Sequence, residues 1–285
     1  MRDHILFFTD LHFWTLVRNP LHLLNKRFIG NVNVYVKRRH HFPLENARPF
    51  AKFALETGAR TLIIGGDLTS TASHAEFQMA VEFLKHIEEQ GVKIHVIPGN
   101  HDVYTFESVR SRRFAQYCAG WMPEGGYPAR CTLRGGTEVV LLSTVRPNLL
   151  SSKGEMDPAS IEAAGELIAG SAPGPVMVFG HYPLLDETAG YTLTKNRRMV
   201  GAELLRKTMA DTGREVLYVA GHVHRHSSTR DPMFPNLHHV TSPALFNHWG
   251  PAHRYGGFLE IKSFADRTDV RHHWKESEWL SETVS

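Results

Sequence analysis

An α/β fold of two packed sheets with helices outside is predicted by three features of this 285-residue chain. The first is a set of five short apolar runs, each breaking into a turn that carries Asp, Asn or His. Residues 5–8 precede Asp10 and His12, residues 61–64 precede Asp67, and residues 94–97 precede Asn100-His101-Asp102. Residues 176–179 precede His181, and residues 216–220 precede His222 and His224. The second is helical spacing of apolar residues between most of these runs, the rhythm of an α/β chain. The third is a change of texture after His224, where residues 237–241, 257–262 and 269–274 alternate like half-exposed strands. Sites in open α/β sheets form beyond the carboxyl ends of strands, so five such endings mark one site.

In chain order, a strand over residues 4–8 delivers Asp10 and His12. Residues 13–42 then interrupt the alternation as an insertion. Asn19-Pro20 can cap a helix. Leu21, Leu24, Phe28, Val32 and Tyr35 follow on one helical face, while Lys26, Arg27, Asn31, Asn33 and Arg38 lie largely elsewhere. Gly30 weakens that helix locally. A basic amphipathic helix can lie in a membrane interface. The commoner arrangement, expected here, packs it on its own domain with its charges in water. Residues 45–57 read as a helix ending at Gly58. Ser73 and Glu76 form a capping-box pattern before a helix whose face is Phe77, Ala80, Val81, Leu84 and Ile87 and which stops at Gly91. Residues 110–136 read as irregular, 138–144 as strand, 157–169 as helix, 186–200 as a polar loop and 201–211 as helix. Without an internal repeat or long linker, residues 1–285 are expected to form a single domain carrying the insertion at about 13–42.

The 42% hydrophobic content is ordinary for a globular protein. A net charge of +3 does not by itself imply nucleic acid. Its distribution says more, because residues 13–44 hold six basic side chains and no acidic one, leaving the remainder mildly acidic. Cys118 and Cys131 are too few for a disulfide framework and read as two buried thiols. The first ten residues lack a signal-peptide pattern, and no run approaches membrane-spanning length. The expected location is therefore cytoplasmic, with attachment to the inner face of the membrane left open.

Asp10, His12, Asp67, Asn100, His181, His222 and His224 all sit just past strand ends. Converging carboxylates and imidazoles are costly unless cations neutralise them. Seven ligands exceed what one tetrahedral ion uses and suit two ions of higher coordination. A mixed oxygen and imidazole set favours Mn, Fe, Co or Zn over Ca or Mg, with Mn first. The absence of Cys argues against a purely structural zinc. Two metals roughly 3.5–4 Å apart are the usual apparatus of phosphoryl chemistry, and Asp67 is the carboxylate expected between them. Any one of these motifs alone is weak. Their force lies in arriving together, each after an apolar strand, since unpaired buried charges would destabilise the fold.

Asp10-x-His12, Gly66-Asp67, Gly99-Asn100-His101-Asp102, Gly180-His181 and Gly221-His222-x-His224 resemble the signature of the calcineurin-like metallophosphoesterases over residues 5–226. The resemblance implies a four-layer αββα sandwich with a dinuclear site at the strand ends. It gives one metal Asp10, His12, Asp67 and His224, and the other Asp67, Asn100, His181 and His222. It further implies a metal-bridging hydroxide that attacks phosphorus in line. His101 would stabilise the transition state or protonate the leaving oxygen, and Asp102 would orient His101.

Compact bacterial members with this motif set resemble class III cyclic-nucleotide and glycerophosphodiesterases, which makes a phosphodiesterase the leading expectation. Lipid A enzymes that cleave UDP-2,3-diacylglucosamine share the fold. The best-known carry Arg where His101 stands, whereas another branch keeps the full motif. A lipid-linked substrate at an anionic membrane surface, met through residues 13–42, is therefore the alternative. A nuclease, needing a long basic groove, ranks behind it. Phosphoprotein phosphatases usually show Gly-Asp-x-x-Asp-Arg-Gly, and Gly66-Asp67-Leu68-Thr69-Ser70-Thr71-Ala72 departs from that. A scaffold on this fold would lose ligands, and this chain keeps all seven. His40, His41, His248, His253, Arg197 and Arg198 are read as surface or loop residues that could at most reach a substrate phosphate.

Overall fold

Two six-stranded sheets carry the fold in the computed structural model, which describes residues 1–16, 27, 30, 32, 34–148, 151–188, 191, 197–249 and 254–284. In chain order the strands are β1 (Asp3–Phe8), β2 (Thr61–Ile64), β3 (Lys93–Val96), β4 (Ala129–Thr132), β5 (Glu138–Leu141), β6 (Gly154–Glu155), β7 (Val176–Phe179) and β8 (Met199–Val200). They continue as β9 (Val216–Ala220), β10 (Ser227–Arg230), β11 (Leu237–Thr241), β12 (His248–Trp249), β13 (Arg254–Tyr255), β14 (Gly257–Ser263), β15 (Thr268–Lys275) and β16 (Trp279–Thr283). The first sheet runs β16-β15-β14-β1-β2-β3 and the second β10-β11-β9-β7-β5-β4.

Within the first sheet β1, β2 and β3 are parallel, and the C-terminal strands add antiparallel beside β1. In the second, β5, β7, β9 and β11 are parallel between antiparallel edges β4 and β10. Successive side chains of a strand point to opposite faces. Ile5, Phe7, Ile63, Val139, Leu141, Phe179 and Val219 accordingly fill the layer between the sheets. Leu6, Phe8, Leu62 and Ile64 face the other way, onto α1 (Ala47–Leu55) and α2 (His74–Glu88). Val140, Val178 and Tyr218 do the same for α5 (Pro158–Ala169) and α6 (Ala202–Asp211). This is the four-layer αββα sandwich. It also explains why the central strands read as unbroken apolar runs, since both their faces are buried.

The local signals hold where they rest on capping. Ser73 and Glu76 make the reciprocal capping box of α2, and Asp157 caps α5 with Pro158 in its first turn. Residues 110–136 are not irregular. They hold α4 (Arg113–Cys118), a 3₁₀ turn and β4, and α3 (Phe106–Arg110) ends at their start. Helices of five and six residues are too short to show a period. The signal that could have found α3 is the Thr105–Ser108 reciprocal cap. Both thiols are free, but only Cys118 is buried, while Cys131 is half-buried on β4.

The insertion departs from expectation in a way that matters for the site. Leu21, Leu24 and Phe28 lie outside the described residues. Val32 and Tyr35, expected on the packed face, are 49% and 56% exposed, as is Val36 at 58%. Arg27, expected in water, is 5% exposed. Its guanidinium donates to the carbonyls of Thr71 and Ala72, to Thr105 Oγ1 and to Glu107. The reason is physical: the loop after β2 leaves carbonyls unpaired by any ladder, and a guanidinium satisfies them where an aliphatic side chain cannot. Gly30 sits so close to Thr71 and Tyr104 that a Cβ there would lie 2.7 Å from Thr71 Cγ2. Among the described residues no helix is long and apolar enough to cross a membrane.

Candidate metal centre

The loops after β1, β2 and β3 meet those after β7 and β9 at one end of the sandwich. Their backbone is unusual. Asp10 (φ 55°), His12 (φ 47°), Asp67 (φ 54°), His222 (φ 67°) and His224 (φ 56°) are all left-handed. That conformation is uncommon outside glycine, costs about 1–3 kcal/mol per residue and clusters at functional sites. Here it is over-determined by hydrogen bonds. Asp10 N donates to Gly66 O at 3.0 Å, His12 N to Asp67 O at 2.9 Å, and His222 N to Asp10 Oδ2 at 2.9 Å. Glycine is required where the loops touch: a Cβ on Gly99 would overlap the Asp67 backbone and carboxylate, and one on Gly221 would overlap Thr9 Oγ1.

All seven strand-end residues converge. His224 Nε2 lies 3.2 Å from Asp10 Oδ1 and 3.0 Å from His12 Nε2. His12 Nε2 is 3.6 Å from Asp67 Oδ2, whereas the other Asp67 oxygen, Oδ1, is 3.5 Å from His181 Nε2. His181 Nε2 is in turn 3.2 Å from Asn100 Oδ1. The two oxygens of Asp67 therefore face two separate donor groups. Asp10, His12 and His224 form one group and Asp67, His181 and His222 another, each with its donor atoms within 4.8 Å of one another.

The donor set fits two metal ions. Asp10 Oδ1 and His222 Nε2 are buried with no hydrogen-bond partner, a costly state that a cation relieves. The far nitrogens are held as ligating imidazoles require: His181 Nδ1 faces Gly65 O at 2.8 Å and His12 Nδ1 faces Thr69 O at 3.3 Å, leaving Nε2 toward the centre. Burial drives the imidazoles of His12 and His222 well below the usual range, which keeps both neutral, the form that binds metal. Burial alone would raise the Asp10 carboxyl, but His224 and then His181 outweigh it and hold Asp10 below the carboxylate range. For His181, burial pulls the other way and the Asp67 carboxylate wins, lifting the imidazole to about 9.

His101 stands at the rim. Its Nδ1 faces Ser70 O at 2.7 Å, its ring stacks on Tyr104 at 5.3 Å, and its backbone N–H donates to Asp67 Oδ1 at 2.7 Å. The group orienting the His101 ring is thus the Ser70 carbonyl and not, as expected, the Asp102 carboxylate. Both Asp102 oxygens are occupied by Gly99 N, Leu68 N, Thr69 N and Thr69 Oγ1, at 2.9 to 3.2 Å. Asp102 pins the β2 loop to the β3 loop. Burial and the neighbouring Asp67 push its carboxyl up to about 7 against those backbone donors.

The structure also places residues that the motifs did not mark. Phe42, at the end of the insertion, packs against His12 at 4.8 Å and His224 at 5.6 Å, and Tyr182 covers His222 at 4.0 Å. Arg38 reaches in from the insertion, its guanidinium 3.1 Å from His12 Nδ1 and 2.8 Å from His101 Nε2. Of the residues read as surface, His40 and Arg197 are exposed, Arg198 pairs with Asp186, and His253 lies outside the described residues.

The profile of the calcineurin-like phosphoesterase family matches residues 4–226. The chain belongs to this family. It is a metal-dependent phosphoester hydrolase. No curated protein is similar enough in sequence to be matched. Among solved structures, a dimetal phosphatase from Danio rerio has a TM-score of 0.67 at 15% identity, with 99% of each chain covered. That likeness shows the shared fold. A 5'-nucleotidase from Candida albicans (TM-score 0.44, 14% identity, 90% of this chain and 47% of that one) is more distant. So is a phosphopantetheinyl hydrolase from Mycobacterium tuberculosis (TM-score 0.43, 16% identity, 85% and 89%).

Proposed function

We propose that this calcineurin-like enzyme hydrolyses phosphodiesters. The observation that carries the reading is the pair of donor groups on either side of Asp67, each with a buried atom that lacks a hydrogen-bond partner and that a cation would satisfy. Asp10, His12, Asp67 and His224 would hold one ion, and Asp67, Asn100, His181 and His222 the other. The set accepts Mn, Fe, Co or Zn, and Mn is the first expectation among them. Two such ions supply a reactive water at neutral pH and neutralise charge on the phosphoryl oxygens.

The chain's own residues do the rest. Asn100 adds a donor without adding charge, which keeps the centre cationic toward an anionic ester. His101, held through Nδ1 by Ser70, meets Arg38 at Nε2; once that contact is exchanged for substrate, a protonated Nε2 would give its proton to a leaving oxygen. Asp102 keeps the two loops in register, acting on His101 only through the backbone. Arg38 is the one guanidinium hydrogen-bonded within the cluster among the described residues. That modest supply of positive charge suits a diester monoanion better than a monoester dianion.

The test is turnover by metal-reconstituted protein on bis-p-nitrophenyl phosphate, p-nitrophenyl phosphate, cyclic AMP, single-stranded DNA and UDP-2,3-diacylglucosamine, beside an Asp67→Ala control. Faster turnover of diesters, absent from the control, is expected. A clear preference for the monoester would sink the diester reading.

A second reading, a lipid-linked substrate taken at an anionic membrane surface, is favoured by one observation. Tyr35 and Val36 are exposed on the turn of helix (Val34–Arg38) that sends Arg38 into the centre, and Arg39 lies 4.4 Å over the Tyr35 ring. Aromatic and basic residues together suit a headgroup region. Co-sedimentation with phosphatidylglycerol vesicles checks it. Equal binding by wild type and a Tyr35→Ser/Val36→Ser variant would reject it.

A further inference from the structure

The insertion carries two arginines, Arg27 buried and Arg38 part-buried, and they are satisfied very differently. Arg27 has two backbone carbonyls, a hydroxyl and the Glu107 carboxylate. Arg38 has no carboxylate bonded to it among the described residues. Its contacts are His12 Nδ1 (3.1 Å), His101 Nε2 (2.8 Å) and Nδ1 (3.4 Å), and Ser70 O (3.4 Å).

Most of those contacts are poor acceptors. A ring nitrogen that donates to a carbonyl cannot also accept. His12 Nδ1 faces Thr69 O and His101 Nδ1 faces Ser70 O, so both nitrogens carry hydrogen when the opposite nitrogens face the centre. Ser70 O already takes the His101 bond at 2.7 Å. That leaves His101 Nε2 as the one strong acceptor for a guanidinium with five N–H donors. A part-buried guanidinium with no carboxylate bonded to it among the described residues keeps donor capacity for an incoming oxygen. It is aimed at the space between His12 and His101, whose rings are 4.9 Å apart. Such a fork matches the oxygens of a phosphoryl group.

We propose that Arg38 is the phosphate-contacting residue that the insertion supplies to the centre. Its guanidinium takes a non-bridging phosphoryl oxygen when substrate enters, in place of its present contact with His101. The insertion is built to hold it there: Arg27 and the close approach of Gly30 to Thr71 and Tyr104 lock the segment on the loop after β2. Arg38 is therefore part of the substrate site, whatever covers the insertion's outer face.

The inference rests on the phosphohydrolase reading but not on the choice of diester. The probe is inorganic phosphate, titrated calorimetrically into metal-loaded wild type, Arg38→Met and Arg38→Lys, with metal content and circular dichroism measured on each. Two bound metals in all three are expected. Phosphate affinity should fall roughly 10- to 100-fold in Arg38→Met, with Arg38→Lys between, since lysine keeps the charge but loses the fork. Unchanged affinity in Arg38→Met would overturn the proposal. So would loss of metal together with phosphate, which would make Arg38 a support for His12, and so would absence of phosphate binding by the wild type. If phosphate binding depends on Arg38 while bis-p-nitrophenyl phosphate is not cleaved, the diester reading falls and this one stands.

Discussion

The two sheets meet at the centre as unequal partners. The first contributes both carboxylates, Asp10 and Asp67, together with Asn100 and the loops that carry Asp102 and His101. The second contributes only imidazoles, His181, His222 and His224. The covering differs too. The first sheet's side is closed by the insertion through Phe42 and Arg38, and the second's by Tyr182 packed at a tilt against His222. The negative charge needed to hold cations thus comes from one sheet, and the other adds neutral donors that position them. Ions held by donors from both sheets would also tie the halves of the sandwich together, where the packing between sheets is otherwise apolar and non-directional.

The difference can be broken most severely at Asp67, which serves both donor groups. In Asp67→Ala, turnover should fall about 10³-fold or more, with loss of bound metal read by mass spectrometry. The corresponding change on the second sheet, His222→Ala, removes a neutral donor and should cost less and release at most one ion. If the two variants lose equal activity and equal metal, the asymmetry between the sheets is wrong.

His101→Ala separates holding metal from moving a proton. Turnover should fall roughly 10²- to 10³-fold while metal content stays at the wild-type level. Full activity would remove His101 from the reaction. Asp102→Asn, by contrast, should act through the loops. Asn keeps oxygen on one side only, so Gly99 N or Thr69 N is left unpaired, and the variant should lose thermal stability as well as rate.

Metal as a tie between sheets predicts an effect without any substrate. A ligand that binds only the folded state stabilises it by mass action, by about 3–4 kcal/mol at several hundred times Kd. Chelation should therefore lower Tm by about 5 °C or more in the wild type and barely move it in Asp67→Ala. An equal shift in both proteins would mean that the ions bridge nothing.

Most of the centre was legible because its parts are punctuated: an apolar strand, then a polar residue at the exit, five times over. The physics behind that pattern is local, so sequence carries it. The partners of Asp102 and His101 were not legible, because both are recognised by backbone atoms. A carboxylate that accepts from Leu68 N and Gly99 N has the same one-letter code as one that orients an imidazole. The left-handed turns at Asp10, His12 and His222 leave no mark for the same reason. In the insertion, amphipathic spacing pointed inward with Val32 and Tyr35 and outward with Arg27 and Arg38, and the described part has it reversed. Hydrophobic pattern assumes that the surface beneath a helix is apolar. Here that surface is a rim of loop carbonyls and imidazoles, which takes guanidinium groups and turns the aliphatic side chains away.

The smallest expected effect concerns histidines of the second sheet away from the centre. His238 and His239 on β11 are buried, and burial depresses both to about 4, for His239 in spite of the Asp231 carboxylate beside it. Their folded values lie below the ordinary imidazole value of 6.5. The unfolded chain therefore binds protons first as pH falls. The stability these groups contribute is fully present above pH 6.5 and is lost progressively down to about pH 4. Hydrogen exchange on metal-free protein across that window should show β9, β10 and β11 opening before β1, β2 and β3. A His238→Asn/His239→Asn variant should flatten the pH dependence, since asparagine keeps a polar side chain that does not titrate. Simultaneous opening of both sheets, or an unchanged slope in the variant, would place the acid sensitivity in groups that the two sheets share.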